Sequence, residues 1–279
     1  MEILEKLGKP SYLLLGIIAA ITALHFTLLE HEGNQNLISV SILIWLTAAS
    51  LLWDKYQEKN LDLKSNLPST VLGIILIVLA LLRSISTSGY HFFLCPFIFA
   101  VGLVLLTAGF KGFQFYRQEL YVFSLFLLYP AIMRFLGMIG MEKWTAIFST
   151  FMLYILGFQP YREGVSIILP TGRVEVLYSC AGIDIVTLMI ICSILLFFIV
   201  PLKTSQKILC LFLAPIIGFL VNCIRIGLLT YFVSKSADEA FEYWHGQDGS
   251  LAFAMISVIL FGLFCWFSYI RPLTLESQD

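Results

Sequence analysis

Residues 178–202 of the chain read YSCAGIDIVTLMIICSILLFFIVPL. After Cys180 this stretch contains one charged residue, Asp184, and its apolar run has about the 20 residues that a helix needs to cross a bilayer. The rest of the chain has the same character, since 59% of its 279 residues are hydrophobic and 13% are charged. The mean hydropathy is +0.91. A soluble domain could not bury so much apolar surface, so the sequence predicts a membrane protein.

Eight apolar segments are predicted to span the membrane. They cover about 11–29, 37–53, 67–83, 92–110, 120–133, 181–202, 207–230 and 250–270. The first segment follows Met1–Pro10 and has no small-residue cleavage site, so we interpret it as a retained span and not as a signal peptide. The predicted fold class is an all-α polytopic membrane protein with about eight transmembrane helices.

Segment 134–158 is apolar enough to suggest a ninth crossing, but it carries three charged residues near its start. With eight crossings and cytoplasmic N- and C-termini, every short inner connection is basic, as the positive-inside rule requires. Nine crossings would place the basic loops 54–66 and 111–119 outside. We therefore expect 134–158 to be an interfacial or half-buried helix on the outer face.

Two alternating runs follow that helix, Val165–Leu169 and Arg173–Tyr178, and Pro170-Thr171-Gly172 joins them. Alternation on both sides of a Pro/Gly turn predicts a β-hairpin. The hairpin ends next to Cys180, so it would deliver that cysteine to the outer mouth of the following span.

Three further sequence features are predicted to meet on the outer side. The first is Ser179-Cys180-Ala181-Gly182-Ile183, at the outer end of its span. The second is Asn222-Cys223-Ile224-Arg225, where Arg225 lies 18 residues (225 − 207) beyond Lys207, or about 27 Å along a helix. The third is Trp244-His245-Gly246, in the outer loop 234–249.

The chemistry of Cys180, Arg225 and His245 suits a catalytic centre. A cysteine near a helix N-terminus faces the positive end of the helix dipole, which favours the nucleophilic thiolate. Histidine can act as base or acid near neutral pH. Arginine inside a lipid-facing helix is unfavourable by roughly 2.5–3.5 kcal/mol, so it usually marks function, and its donors suit an oxyanion or a carboxylate.

Three residues are predicted to support this centre. Asn222 shares a helical face with Arg225, three residues later. Asp184 lies in the first turn after Cys180, where it could orient the arginine or the histidine. Gly182 leaves room for a substrate backbone to approach.

Each residue also has a simpler interpretation. Cys180 could be a small buried residue or half of a disulfide with Cys95, Arg225 could be a snorkelling interface residue, and His245 could be an ordinary loop histidine. The chain has six cysteines but no CxxC or paired Cys/His spacing, so no metal site and no cofactor are predicted. The net charge of −1 gives no indication of nucleic-acid binding.

Over about 120–270 the chain resembles the exosortase/archaeosortase family of integral membrane cysteine transpeptidases. The resemblance rests on Phe123–Pro130, Ile155–Phe158, the hairpin Ile167–Val176, and the three motifs containing Cys180, Arg225 and His245. It implies catalytic roles for those three residues. It also divides the chain into N-terminal transmembrane helices (1–119) and an exosortase-like catalytic membrane core (120–279). The family's common C-S-G is C-A-G here, which removes a hydroxyl.

The resemblance implies a protease or transpeptidase in the cytoplasmic (inner) membrane of the cell, multi-pass, with its active site on the outer, periplasmic side. Its expected substrates are exported proteins with a C-terminal sorting signal of the PEP-CTERM type, made of a short motif, a transmembrane helix and a basic tail. Cleavage would proceed through a thioester and transfer to an acceptor, which the sequence leaves open between lipid, glycan and water. Two rival hypotheses are a polytopic transporter of a small anionic solute and a catalytically inactive membrane assembly factor.

Overall fold

The computed structural model describes residues 10–33, 35–57, 65–84 and 91–271. In the first half of the chain the helices are α1 (Pro10–Glu32), α2 (Gln35–Gln57), α3 (Leu67–Ser84), α4 (His91–Ala108), α5 (Gly112–Phe115) and α6 (Arg117–Met138). The second half contains α7 (Met141–Ile155), β1 (Tyr161–Glu163), β2 (Ser166–Leu169), β3 (Gly172–Glu175), α8 (Ile183–Ile199), α9 (Thr204–Ser234), α10 (Asp238–His245) and α11 (Gln247–Cys265).

Six helices among the described residues are long and apolar enough to cross a membrane, and two shorter apolar helices cover Gly16–His31 and Ile183–Ile199. Each of the eight predicted spans coincides with one helix. The prediction of an all-α polytopic membrane protein is therefore confirmed. The number of crossings and the side of each loop stay predictions. Both predicted cytoplasmic termini and residues 58–64 of the basic loop 54–66 lie outside the described residues.

Contacts divide the chain into two compact units. One consists of Met1–Asn34 and Ala48–Leu127, and the other of Gln35–Thr47 and Leu128–Asp279. In the first unit, α3 approaches α4 closely at Gly73, where an added Cβ would lie 2.7 Å from the Gly102 carbonyl oxygen. In the same unit, Lys55 Nζ lies 2.7 Å from Glu119 Oε1 and donates to the Phe115 carbonyl at 2.8 Å. These bonds fix the segment around α5 to the end of α2.

The second unit is built around the 31-residue helix α9, against which α7, α8, α10 and α11 all pack. One face of α7 is buried and carries residues at helical spacing, of which all but the leucine are small or polar: Thr145, Ala146, Ser149 and Leu153. Its other face exposes large apolar side chains: Trp144, Phe148, Phe151 and Tyr154. Residues that recur with the 3.6-residue helical period lie on one face of the helix, which explains this division. The buried face, which carries mostly small residues, can pack closely against its neighbours.

Segment 134–158, predicted as one helix, is divided in the structure. Residues 134–138 form the last turn of α6, and α7 begins at Met141 after Gly140, which has a φ of +70°. An interfacial position for α7 stays a prediction.

The sheet has three antiparallel strands in the order β1–β2–β3. β2 and β3 form the predicted hairpin, with Ile167 opposite Val174, and β1 adds a strand that the sequence analysis missed. The hairpin turn reaches the end of α9, where Thr171 Oγ1 donates to the Ser234 carbonyl at 2.6 Å. The sheet therefore lies beside the last turn of α9, and the chain leaves it directly towards Cys180.

Candidate active site

Cys180 closes a short 3₁₀ turn, Tyr178–Cys180, just before α8. Its side chain is buried, with 7% exposure, and its N–H donates to the Leu177 carbonyl at 2.9 Å. Side chains from two other helices bind the carbonyl groups of Cys180 and Ala181. Asn222 Nδ2 donates to the Cys180 carbonyl at 3.1 Å, and Thr145 Oγ1 donates to the Ala181 carbonyl at 2.8 Å. The backbone that carries the thiol is thus fixed on two sides.

Both the backbone conformation and the neighbouring side chain require a glycine at position 182. Its φ is +83°, in the left-handed region that favours glycine. An added Cβ would also lie 2.5 Å from Asn222 Nδ2. Asn222 itself is fully buried, and its Oδ1 has no hydrogen-bond partner among the described residues. The Asn222 side chain thus occupies the space that a Cβ at position 182 would fill, and the admission of a substrate backbone at Gly182 stays a prediction.

His245 is the last residue of α10, and its Nε2 lies 3.3 Å from Cys180 Sγ. One helical turn earlier on α10, Phe241 stacks on the imidazole with ring centroids 5.1 Å apart and an interplanar angle of 8°. Phe241 also packs against the apolar cluster around Cys180. The stacking therefore restricts the ring to an orientation in which Nε2 meets the thiol.

Arg225 is buried, with 4% exposure, and two of its N–H groups bond to main-chain carbonyls. Its Nε donates to the Trp244 carbonyl at 3.2 Å, and its Nη2 donates to the His245 carbonyl at 2.8 Å. These carbonyls belong to the C-terminal end of α10, where the helix dipole is negative and carbonyl groups lack helical partners. Arg225 thus connects α9 to the segment that presents the histidine.

Partial burial of the imidazole lowers the pKa of His245, and the positive charge of Arg225 lowers this pKa further. Both effects favour the neutral ring at pH 7. A neutral imidazole whose Nε2 is 3.3 Å from a thiol can accept the thiol proton.

The expectation that Asp184 orients Arg225 or His245 stays a prediction. Asp184 contacts α6, where Tyr129 OH donates to Asp184 Oδ1 at 3.2 Å. Burial raises the pKa of Tyr178, and the nearby charges of Asp184 and Glu142 raise it further. Asp184 therefore faces a group of tyrosines at the side of the cysteine turn.

The structure brings Cys180, Arg225, His245 and Asn222 together. Arg225 lies nine residues (234 − 225) before the end of α9, about 14 Å along the helix. The site is thus recessed below the end of α9 and does not lie at its tip. Cys95 and Cys180 are both free thiols, so the structure shows no disulfide between them.

Sequence reasoning missed Thr145 and Phe241. For Phe241 a signal was available, because it precedes His245 by four residues and such residues share a helical face. For Thr145 no local signal marks the bond to Ala181, which is 36 residues away along the chain.

A family model described as transmembrane exosortase matches residues 32–262, which is most of the chain. No curated protein and no solved structure matches the chain in the other two comparisons.

Proposed function

The chain belongs to the transmembrane exosortase family, a family of sorting-related membrane transpeptidases, and from this membership we propose that Cys180 is its nucleophile and His245 its acid–base residue. The observation that carries the proposal is the 3.3 Å contact between Cys180 Sγ and His245 Nε2. A nucleophile and a base within hydrogen-bond reach, with the base oriented by a third group, are the signature of covalent catalysis. Here Arg225 and Phe241 orient the base.

In the proposed first step, Cys180 Sγ attacks the scissile carbonyl carbon while the thiol proton passes to His245 Nε2. The tetrahedral intermediate then collapses, the C–N bond breaks, and His245 returns the proton to the leaving amine. The acyl part of the substrate remains on Cys180 as a thioester. In the second step His245 takes a proton from the acceptor, which attacks the thioester carbonyl carbon. The C–S bond then breaks, and His245 returns the proton to the Cys180 thiolate, which restores the thiol.

Arg225 has two roles in this proposal. Two of the five N–H groups of its guanidinium hold the carbonyls of Trp244 and His245 and so position the base. The remaining N–H groups and the fixed positive charge support the oxyanion that forms during both steps.

We further propose that the substrate is an exported protein with a C-terminal sorting signal of the PEP-CTERM type, made of a motif, a transmembrane helix and a basic tail. Family membership supports this substrate class. Cleavage would take place on the outer face of the cytoplasmic membrane, with transfer of the new carboxyl end to an acceptor.

The test is the variant Cys180→Ala, co-expressed with a substrate protein ending in motif, helix and basic tail. Processing should be abolished while expression and membrane insertion stay normal. Cys192→Ala is the matched control, because this cysteine lies within α8, away from the site residues, and its loss should leave processing intact. Processing at the parental rate in Cys180→Ala would eliminate the thioester mechanism and favour a non-catalytic role.

The outer-face assignment has its own test. Reporter fusions at Gly164 and Lys235 should give an external signal, and a fusion at Lys203 should give a cytoplasmic one. An internal signal at Gly164 would mean that α7 crosses the membrane and that the site opens to the other side.

A further inference from the structure

Two buried side chains on α7 form long-range hydrogen bonds. Thr145 Oγ1 donates to the Ala181 carbonyl at 2.8 Å, and Ser149 Oγ donates to the Cys223 carbonyl at 3.0 Å. Both side chains are fully buried. Thr150 on the same helix behaves differently, because its Oγ1 donates within α7 to the Ala146 carbonyl at 2.7 Å. That local bond is the usual one for a helical threonine, so the bond from Thr145 to Ala181 stands out.

We propose that Thr145 is a positioning residue for the Cys180 nucleophile. This inference rests on the proposed function. Thr145 acts through the Ala181–Gly182 peptide group, whose orientation it sets from α7. Asn222 sets the preceding peptide group from α9 through the Cys180 carbonyl. Because a peptide group is planar, fixing two consecutive carbonyls fixes the dihedral angles around Ala181 and the direction of the neighbouring thiol.

The cysteine turn needs such support because of its local sequence. It is followed by Gly182 at a φ of +83°, and glycine has the widest conformational freedom of all residues. Ser179, just before the nucleophile, is exposed. Without the side-chain bonds, the backbone around the thiol could move, and the 3.3 Å contact between Cys180 Sγ and His245 Nε2 depends on its position.

Ser149 provides the control for a purely structural role. It is as buried as Thr145 and also bonds α7 to a neighbouring helix, but its acceptor, the Cys223 carbonyl, belongs to α9 and not to the cysteine turn. If the hydrogen bonds from α7 serve only to join helices, removing either bond should have the same effect on the reactivity of Cys180. If Thr145 positions the nucleophile, only its removal should change the chemistry of Cys180.

The experiment measures the rate at which iodoacetamide alkylates Cys180, resolved by mass spectrometry, in the purified full-length protein. The variants are Thr145→Val, which keeps the shape but loses the donor, Thr145→Ser, which keeps the donor, and Ser149→Ala. Each is made with and without His245→Ala. Thr145→Val should slow alkylation at least about tenfold, the size expected for losing one buried hydrogen bond.

The second measurement is the change in alkylation rate that His245→Ala causes. A purely structural role of Thr145 would leave this change the same in the Thr145 variants as in the parent. In the parent protein, His245→Ala should slow alkylation, whereas in Thr145→Val it should change the rate by less than about threefold, because the pair is already separated. Thr145→Ser should restore the parental rate and its dependence on His245. Ser149→Ala should remain within about threefold of the parent.

Equal slowing in Thr145→Val and Ser149→Ala, or a parental rate in Thr145→Val, would overturn the proposal. If the valine variant is not recovered from the membrane, Thr145→Ala carries the same expectation. Alkylation requires no substrate, so this result does not depend on the proposed reaction. Where the parent processes a substrate, Thr145→Val should also lower kcat by about 10- to 100-fold with little change in KM, since small misplacements of a reacting group have effects of that size.

Discussion

Replacing Arg225 by lysine separates a directional role of this residue from a merely cationic one. The guanidinium is planar and donates to two successive carbonyls, at 3.2 Å to Trp244 and 2.8 Å to His245. A lysine ammonium keeps the charge but cannot reproduce the fork. A residue that only snorkels to the interface requires nothing beyond a cationic tip, which lysine supplies equally well.

The expected loss follows from these bonds. A hydrogen bond from a charged donor contributes about 1.5–3 kcal/mol, and lysine can retain at most one of the two. A loss of this size corresponds to about 10- to 150-fold in rate if it acts wholly on the transition state. Displacing His245 from Cys180 adds to it, and loss of an oxyanion donor typically lowers rates by about 10²–10³-fold. We therefore expect Arg225→Lys to process substrate at least about a hundredfold more slowly than the parent.

The assay is the time course of substrate cleavage in membranes that contain equal amounts of each variant. Arg173→Lys is the matched control, because Arg173 is an exposed arginine on β3 whose side chain donates to Ser166 Oγ at 2.9 Å. This variant should process substrate normally, and both variants should insert normally. Near-normal turnover in Arg225→Lys would refute the reasoning and reduce Arg225 to an interface residue.

Two further predictions concern the neighbours of the thiol and the pH profile. Gly182→Ala should abolish processing and lower the thermal midpoint, because left-handed backbone costs about 1–2 kcal/mol in a non-glycine residue and the new Cβ would collide with Asn222. Gly157→Ala, with a φ of +87° and open space around the Cβ, should show the backbone cost alone, and equal effects of the two would contradict the collision. Because the pKa of His245 is lowered from 6.5, the acid limb of kcat/KM should lie below pH 6.5. Arg225→Gln removes one cause of that shift, so the limb of the residual activity should move to higher pH, and an unmoved limb would contradict the assignment.

The sequence predicted the helices well because span hydropathy is a local property. All eight predicted spans coincide with observed helices, and the hairpin ahead of Cys180 is present as β2 and β3. β1 was missed because Tyr161-Arg162-Glu163 has only three residues and no apolar alternation. A strand this short is defined by its pairing with β2, and pairing is not visible in a window of sequence.

The role of α7 was harder to predict for a related reason. Hydropathy averages over all faces of a helix, so the exposed aromatic residues of α7 concealed the narrow face that carries Thr145 and Ser149. A threonine and a serine four residues apart are common on helices and specify no acceptor. The acceptors, the carbonyls of Ala181 and Cys223, come from parts of the chain that only the fold brings near.

Arg225 shows how the sequence can single out a residue while the partners of that residue stay hidden. Its unfavourable position in an apolar helix indicated function, and its donors suggested an oxyanion. In the structure two of those donors bond the carbonyls of Trp244 and His245, at the negative end of α10. A buried charge requires such partners, because an isolated one is strongly unfavourable in an apolar medium. The bonds that make the buried charge tolerable are therefore the same bonds that place the imidazole against Cys180. For this reason a variant that keeps the charge but removes the fork, such as Arg225→Lys, should still insert into the membrane while the alignment of the imidazole with the thiol is lost.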